Sequence, residues 1–232
     1  MTVIPYHIGL IIDGNRRWAK NKSLPTFEGH RVGAETLDTI VEYIFNRGVN
    51  TITVYGFSTE NWKRNQIEVS VLMKIFLQYL MKMNTKLVDK GIKVNILGDK
   101  SAFNSDLQQA IQTIEESTRR KTEHTFNLCL NYGGRADLIQ AIKHISDDVK
   151  QGDLKPEDID DELVSQYLYT GGQPDPDLII RTSGENRLSG FLAWQSAYSE
   201  LLFIKTMRPD FSPEIFEECL AEYEKRQRRF GE

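Results

Sequence analysis

Asp13-Gly14-Asn15-Arg16-Arg17-Trp18 puts a carboxylate, a glycine, an amide and two guanidinium groups side by side. Such a set can hold a divalent cation and a phosphate together. The carboxylate suits a hard cation, glycine lets backbone N–H groups approach an anion, and arginine grips phosphate oxygens with two donors at once. A turn with solvated arginines is the competing reading, and the hexapeptide alone does not separate the two. A second cluster, Ser58-Thr59-Glu60-Asn61-Trp62-Lys63-Arg64, again mixes hydroxyls, a carboxylate, an amide and an arginine. A third runs from Arg181 through Thr182, Ser183 and Glu185 to Arg187, Leu188 and Ser189, and suits a second anionic group. Glu200 is a plausible second carboxylate for a cation such as Mg²⁺, against the bland alternative of a surface glutamate. Of the four histidines, His30 follows a loop and opens a helix where an anion could bind; a satisfied structural role competes with that reading.

Each cluster must be placed by regular structure. Six β-rich runs occur: His7 to Ile12, Thr51 to Phe57, Lys93 to Leu97, Thr125 to Leu130, Asp177 to Arg181 and Leu201 to Ile204. Helical periodicity fills the gaps, as in Ala34, Leu37, Ile40, Val41, Ile44 and Phe45, with Gly48 as a stop. The rhythm returns from Leu107 to Ile114 and from Leu138 to Val149, and Ser212-Pro213 opens a last helix. Alternating elements predict a single α/β domain over residues 1–232, with a mostly parallel six-stranded sheet covered by helices on both faces. The polar stretch 147–162 reads as an inter-helix connection. In such sheets ligands sit beyond the carboxyl ends of the strands, and the first three clusters fall there.

Between Val69 and Met83 the apolar positions exceed the usual stripe of about 100°. That helix is either buried all round or has one face on an apolar cavity. Beside two anion sites, the second option suggests a substrate with a phosphorylated head and a hydrocarbon tail.

The chain has 232 residues, is 40% hydrophobic, and sets 29 basic against 33 acidic side chains for a net charge of -4, which argues against broad nucleic-acid binding. The start lacks the pattern of a signal peptide and no run is long enough to span a membrane, so a cytoplasmic protein is the expectation. Cys129 and Cys219 lie in apolar patterns and read as buried thiols. There is no G-x-G-x-x-G, P-loop, H-E-x-x-H, C-x-x-C, G-x-S-x-G or D-D-x-x-D.

The segments HIGLIIDGNRRW, GHRVG, YGFSTENWKR, NYGGRADL, YLYTGGQPDPDLIIRTSGENRLSGFLAWQ and YSELLF, in this order over essentially the whole chain, resemble the cis-type (Z-type) isoprenyl diphosphate synthases, and most of all their undecaprenyl-forming bacterial members. The resemblance implies a homodimer with a hydrophobic tunnel enclosed by sheet and helices. It also implies an Mg²⁺-dependent condensation of isopentenyl diphosphate with an allylic diphosphate such as farnesyl diphosphate. The implied product is a medium- or long-chain Z-polyprenyl diphosphate, with the undecaprenyl carrier lipid of cell-wall synthesis first in line, released in transient contact with a membrane surface. By the same resemblance, Asp13 ligates Mg²⁺ and assists departure of the allylic diphosphate, which Gly14, Asn15, Arg16, Arg17, His30 and Arg64 surround. Asn61 stands where the family has its proton acceptor, and Trp18, Ser58, Thr59, Glu60 and Trp62 shape the reacting centre. Arg181, Arg187, Leu188 and Ser189 hold isopentenyl diphosphate, Glu200 completes the metal site, and Arg229-Phe230-Gly231 reaches a neighbouring subunit. The chain departs from the family pattern at Arg16 for the more common glycine, Thr26 for arginine and Gly190 for asparagine. Gly56 occupies a tunnel position that a bulky residue blocks in short-chain members. A non-catalytic partner subunit of the same fold, and a sugar-phosphate or nucleotide-binding enzyme, are the alternatives. The first tends to lose Asp13 and the 181–185 cluster; the second leaves the apolar helix unexplained.

Overall fold

Each of the six β-rich runs forms a strand in the computed structural model, which describes residues 3–87 and 90–226. The strands are β1 (His7–Ile11), β2 (Thr51–Ser58), β3 (Ile92–Leu97), β4 (His124–Tyr132), β5 (Leu178–Arg181) and β6 (Glu200–Phe203). They make one sheet in the order β3-β4-β2-β1-β5-β6. Every pairing is parallel, so the expected "mostly" parallel sheet is wholly so. β1 pairs with β2 on one side and with β5, far along the chain, on the other. Chain connections therefore diverge at β1, and a crevice opens beyond its carboxyl end.

The helices are α1 (Asn15–Asn21), α2 (Thr26–Asn46), α3 (Gln66–Leu87), α4 (Ser105–Thr118), α5 (Gly134–Gln151), α6 (Asp161–Tyr167) and α7 (Pro213–Glu224). Strand alternation sorts the core into two layers. Ile8, Leu10, Ile52, Val54 and Leu128 face α2, α3, α4 and α7, where they meet Leu37, Ile44, Leu80, Ile111 and Phe216. Ile11, Tyr55, Cys129 and Ile179 face the other way, against Phe191 and Leu192. Both cysteines are buried free thiols, as expected.

The stretch 147–162 is not simply a connection: it holds the last turn of α5 and the start of α6, where the Asp160 side chain caps by accepting from the Leu163 N–H at 2.8 Å. α3 settles its two readings. Leu72, Ile75, Phe76 and Tyr79 line a cavity, while Leu80 and Met83 pack in the core. Among the described residues no helix is long and apolar enough to cross a membrane.

Candidate active site

β1 delivers Asp13 to the carboxyl edge of the sheet, and the turn after it is sharp enough to require glycine. Gly14 has φ +110°, and a Cβ there would press within about 3.0–3.2 Å of Ser183 and Met207. Gly14 N–H donates to Asp13 Oδ1 at 2.7 Å, which leaves Oδ2 for two arginines. Arg181 Nη2 lies at 3.1 Å and Arg17 Nη2 at 3.6 Å from it. Arg181 is itself buried, and its Nη1 also donates to Ser189 Oγ at 2.9 Å and to the Arg187 carbonyl.

Two cavities meet at this carboxylate. The larger, about 810 Å³, has a polar mouth of Asp13, Gly14, Asn15, Arg16, Arg17, Lys20, His30 and Arg64. Its interior runs down α2 and α3 over Leu37, Leu72, Ile75 and Phe76 to Tyr79, with Leu128 from the sheet. The smaller, about 490 Å³, is lined by Asp13, Tyr55, Ser58, Glu60, Asn61, Arg64, Arg181 and Ser189. Ile12, Asp13, Gly56 and Arg64 belong to both walls. Gly56 is the extra residue of a bulge in β2, and a Cβ on it would come within 3.0 Å of Leu128 and 3.1 Å of Leu130.

The mouth is a charge network. Glu68 Oε1 receives Arg64 Nη1 at 3.2 Å and His30 Nε2 at 3.4 Å, with Arg16 Nε at 3.9 Å. Burial pushes His30 down to about 4 despite Glu68, so it is a neutral imidazole at ordinary pH, and its single N–H serves either Glu68 or the Asn15 carbonyl, not both. The Asn15 amide points its carbonyl at Arg208 Nη1 (3.2 Å) and His30 Nδ1 (3.3 Å), and its NH₂ donates to the Gly29 carbonyl. Asn61 closes the loop after β2: its Oδ1 accepts from Ser58 N–H at 3.1 Å, with a second lone pair to spare.

Several expected site residues do not line either cavity. Trp18 is buried with its Nε1 donating to Asp210 at 2.8 Å. Trp62 donates to Asn131 at 2.7 Å and packs on Phe57. Thr59 sits against Gly133. Arg187 points outward to Glu185 (2.6 Å), and Leu188 packs on the layer around Tyr55 and Phe191. Glu200 does not join Asp13 within the chain. The register sets it level with Leu178 and hence Ile8, at the amino end of β6, where Arg226 pairs with it at 3.1 Å. The sequence pattern puts Glu200 at the entry to the last strand, and in a parallel sheet that entry lies at the edge opposite Asp13. The Arg229-Phe230-Gly231 segment lies outside the described residues.

Of the departures from the family pattern, Arg16 and Thr26 both line the larger cavity. Gly190 has φ +79°, in the left-handed region that glycine and asparagine tolerate best, so the exchange preserves the backbone. Arg208 is a cavity residue the sequence reading missed; its only signal was its place in the loop after β6.

A parallel α/β sheet with two arginine-lined cavities, one extended by an apolar chamber, suits a transferase of prenyl diphosphates. The Prenyltransf family model, that of undecaprenyl diphosphate synthases, matches residues 11–231. The chain belongs to this family of cis-prenyltransferases. It is 45% identical over 98% of its length to an isoprenyl transferase of Clostridium perfringens, covering 90% of that protein. It is 44% identical over 99% of its length to the tritrans,polycis-undecaprenyl-diphosphate synthase (geranylgeranyl-diphosphate specific) of Pyrococcus furiosus, covering 88% of it. Lavandulyl diphosphate synthase from Lavandula x intermedia, crystallised with dimethylallyl diphosphate, superposes with a TM-score of 0.95 at 36% identity, over 99% of each chain.

Proposed function

We propose that this prenyltransferase condenses an allylic diphosphate, held in the larger cavity, with isopentenyl diphosphate in the smaller one, repeating the step to a medium- or long-chain Z-polyprenyl diphosphate. The observation that carries this reading is the shared wall: two arginine-lined cavities touch at Asp13 and Gly56, and only one of the two continues into an apolar chamber.

Arg16, Arg17 and Arg64 face the allylic diphosphate and stabilise the charge that builds as its carbon–oxygen bond breaks. Arg181 and Ser189 fix the diphosphate of isopentenyl diphosphate, whose double bond supplies the electron pair of the new carbon–carbon bond. Asn61 Oδ1, which keeps a second lone pair, takes the proton lost afterwards. The apolar chamber excludes water from the electron-poor carbon. Among the described residues there is no group of three or more metal-ligating side chains, so an ion held by protein alone does not fit. A single carboxylate does fit Mg²⁺, which takes one or two carboxylates plus phosphate oxygens and waters. Asp13 would hold it; when bound it neutralises diphosphate charge. Glu200 stands outside that set within one chain.

Homodimer formation, a cytoplasmic setting with release at a membrane surface, and a role in supplying undecaprenyl carrier for cell-wall synthesis belong to the same proposal. Exposed Ile139 and Ile142 on α5 are the kind of surface a second copy covers. Farnesyl diphosphate is the first starter to try and geranylgeranyl diphosphate the second, because the Pyrococcus relative is named for it. Purified protein, Mg²⁺, radiolabelled isopentenyl diphosphate and each starter should yield label extractable into organic solvent. Sizing the product by chromatography checks its length, and a product that stops at C15 under excess isopentenyl diphosphate counts against the longer chain. No labelled lipid with either starter would favour a non-catalytic partner subunit.

A further inference from the structure

Five arginines surround the two cavities, and four of them face a carboxylate. Arg16 and Arg64 have Glu68, Arg17 has Asp13 and Glu185, and Arg181 has Asp13. Arg208, in the loop after β6, is the exception: among the described residues no carboxylate pairs with it. Its side chain meets the neutral Asn15 carbonyl at 3.2 Å, while its Nε is shielded from solvent and bonds to nothing. Burial lowers it only to about 10, so it is charged at neutral pH. A shielded cation without a counter-charge is destabilising, and one that opens onto a cavity can be satisfied by what enters.

The fold makes room for this side chain. Arg208 N–H donates to the Asp13 carbonyl at 3.0 Å, which ties its backbone to the metal-side turn. Its stem then crosses α2 at Gly33. A Cβ on Gly33 would lie 3.2 Å from Arg208 Cδ and 2.4 Å from the Asn15 side-chain amide. Glycine inside a helix costs stability relative to alanine, and here it keeps open the groove in which Asn15 and Arg208 meet.

We propose that Arg208 is a further substrate-positioning residue, the cation that takes a diphosphate oxygen of the allylic substrate from beneath Asn15. This rests on the prenyl-transfer reading for the identity of the substrate, but not for the binding of the anion. The head of the substrate is held from the mouth by Arg16, Arg17 and Arg64, and from behind by Arg208, at the boundary with the apolar chamber.

Titration calorimetry of the full chain with inorganic diphosphate and Mg²⁺, together with steady-state kinetics, tests the assignment. In Arg208→Met, the Kd for inorganic diphosphate and the KM for the allylic substrate should rise about tenfold or more, as expected for loss of a charge-assisted bond, with the KM for isopentenyl diphosphate within about twofold. Arg208→Lys should recover part of the loss. Should Arg208→Met not fold, Arg208→Lys and Gly33→Ala carry the test, each weakening diphosphate binding relative to the parent. An unchanged Kd, or equal losses toward both substrates, overturns the proposal. If the parent protein turns over no prenyl diphosphate while its diphosphate affinity still depends on Arg208, the anion contact stands and the prenyl-transfer reading falls.

Discussion

The two cavities share a carboxylate and a glycine, yet they are built on opposite plans. In the smaller one the buried cation, Arg181, is matched by Asp13 and Ser189, and the remaining walls mix the carboxyl ends of β1 and β2 with the polar Ser58, Glu60, Asn61 and Arg64. In the larger one Arg208, half-buried with its Nε shielded, is matched by no carboxylate among the described residues, and beyond the mouth the lining is mostly apolar, from Leu37, Leu72, Ile75, Phe76 and Leu128. A pocket of the first kind suits a small head with a short tail that must be oriented. One of the second kind suits a head that must be gripped and released while its tail slides. The difference traces to secondary structure: loops after β2 and β5 enclose the first, whereas α2 and α3 wall the second.

The largest effect expected is at the shared point. Asp13→Ala should lower turnover by roughly 10³-fold or more, while circular dichroism shows an intact fold. Activity close to that of the parent protein would mean that the common wall does not join the two sites chemically. Next comes Arg181→Met, which should raise the KM for isopentenyl diphosphate by about 10²-fold and barely move that of the allylic substrate. Equal changes in both would erase the distinction between the cavities. Tyr79 probes the larger one alone. It closes the inner end, and a second cavity of about 340 Å³ lies on its other side. Tyr79→Ala should shift products to longer chains by mass spectrometry, at a cost in stability of about 3 kcal/mol; an unchanged product profile would show that the chain end never reaches it.

The smallest effect lies away from both cavities and serves as their control. His7 is buried, with Nδ1–H donating to the Pro174 carbonyl (2.6 Å) and Nε2 accepting from Thr53 Oγ1 (2.8 Å). Burial lowers it to about 4. Folding therefore favours neutral His7, and the stability this brings is present above pH 6.5 and is lost as pH falls toward 4, amounting to about 3 kcal/mol at most. Urea denaturation of His7→Gln should show a flatter loss over that window, with the KM values of the folded enzyme unaltered.

The long helices were legible because each repeats an apolar period over enough residues to outweigh local noise, and the strands because each is a short run rich in apolar and β-branched residues. α1 and α6, at seven residues each, are too short for that, and both form under tertiary control. The strand pattern put Asp13, Arg64 and Arg181 at the carboxyl edge of a parallel sheet, where they lie: Asp13 two residues past β1, Arg64 in the segment after β2 and Arg181 as the last residue of β5. Trp18 and Trp62 line neither cavity: proximity in sequence to a reactive cluster does not tell which way a side chain turns, and both indoles turn to the hydrogen-bond acceptors Asp210 and Asn131. Glu200 and Arg208 flank the same strand, β6, and strand polarity decides between them. The residue entering β6 lies at the far end of the sheet, and the loop leaving it returns to Asp13.

α3 has one face on the chamber and another in the core, and this separates two kinds of evolutionary constraint. At Ile75, which lines the chamber outside the core, an exchange of one apolar residue for another alters the space available to the guest while few protein neighbours must readjust. Leu72 and Phe76 line the chamber and pack in the core at once. At Leu80 and Met83 the same exchange disturbs close packing. A lineage can therefore drift in the size of the molecule it makes while its folding stability stays under selection at other positions of the same helix.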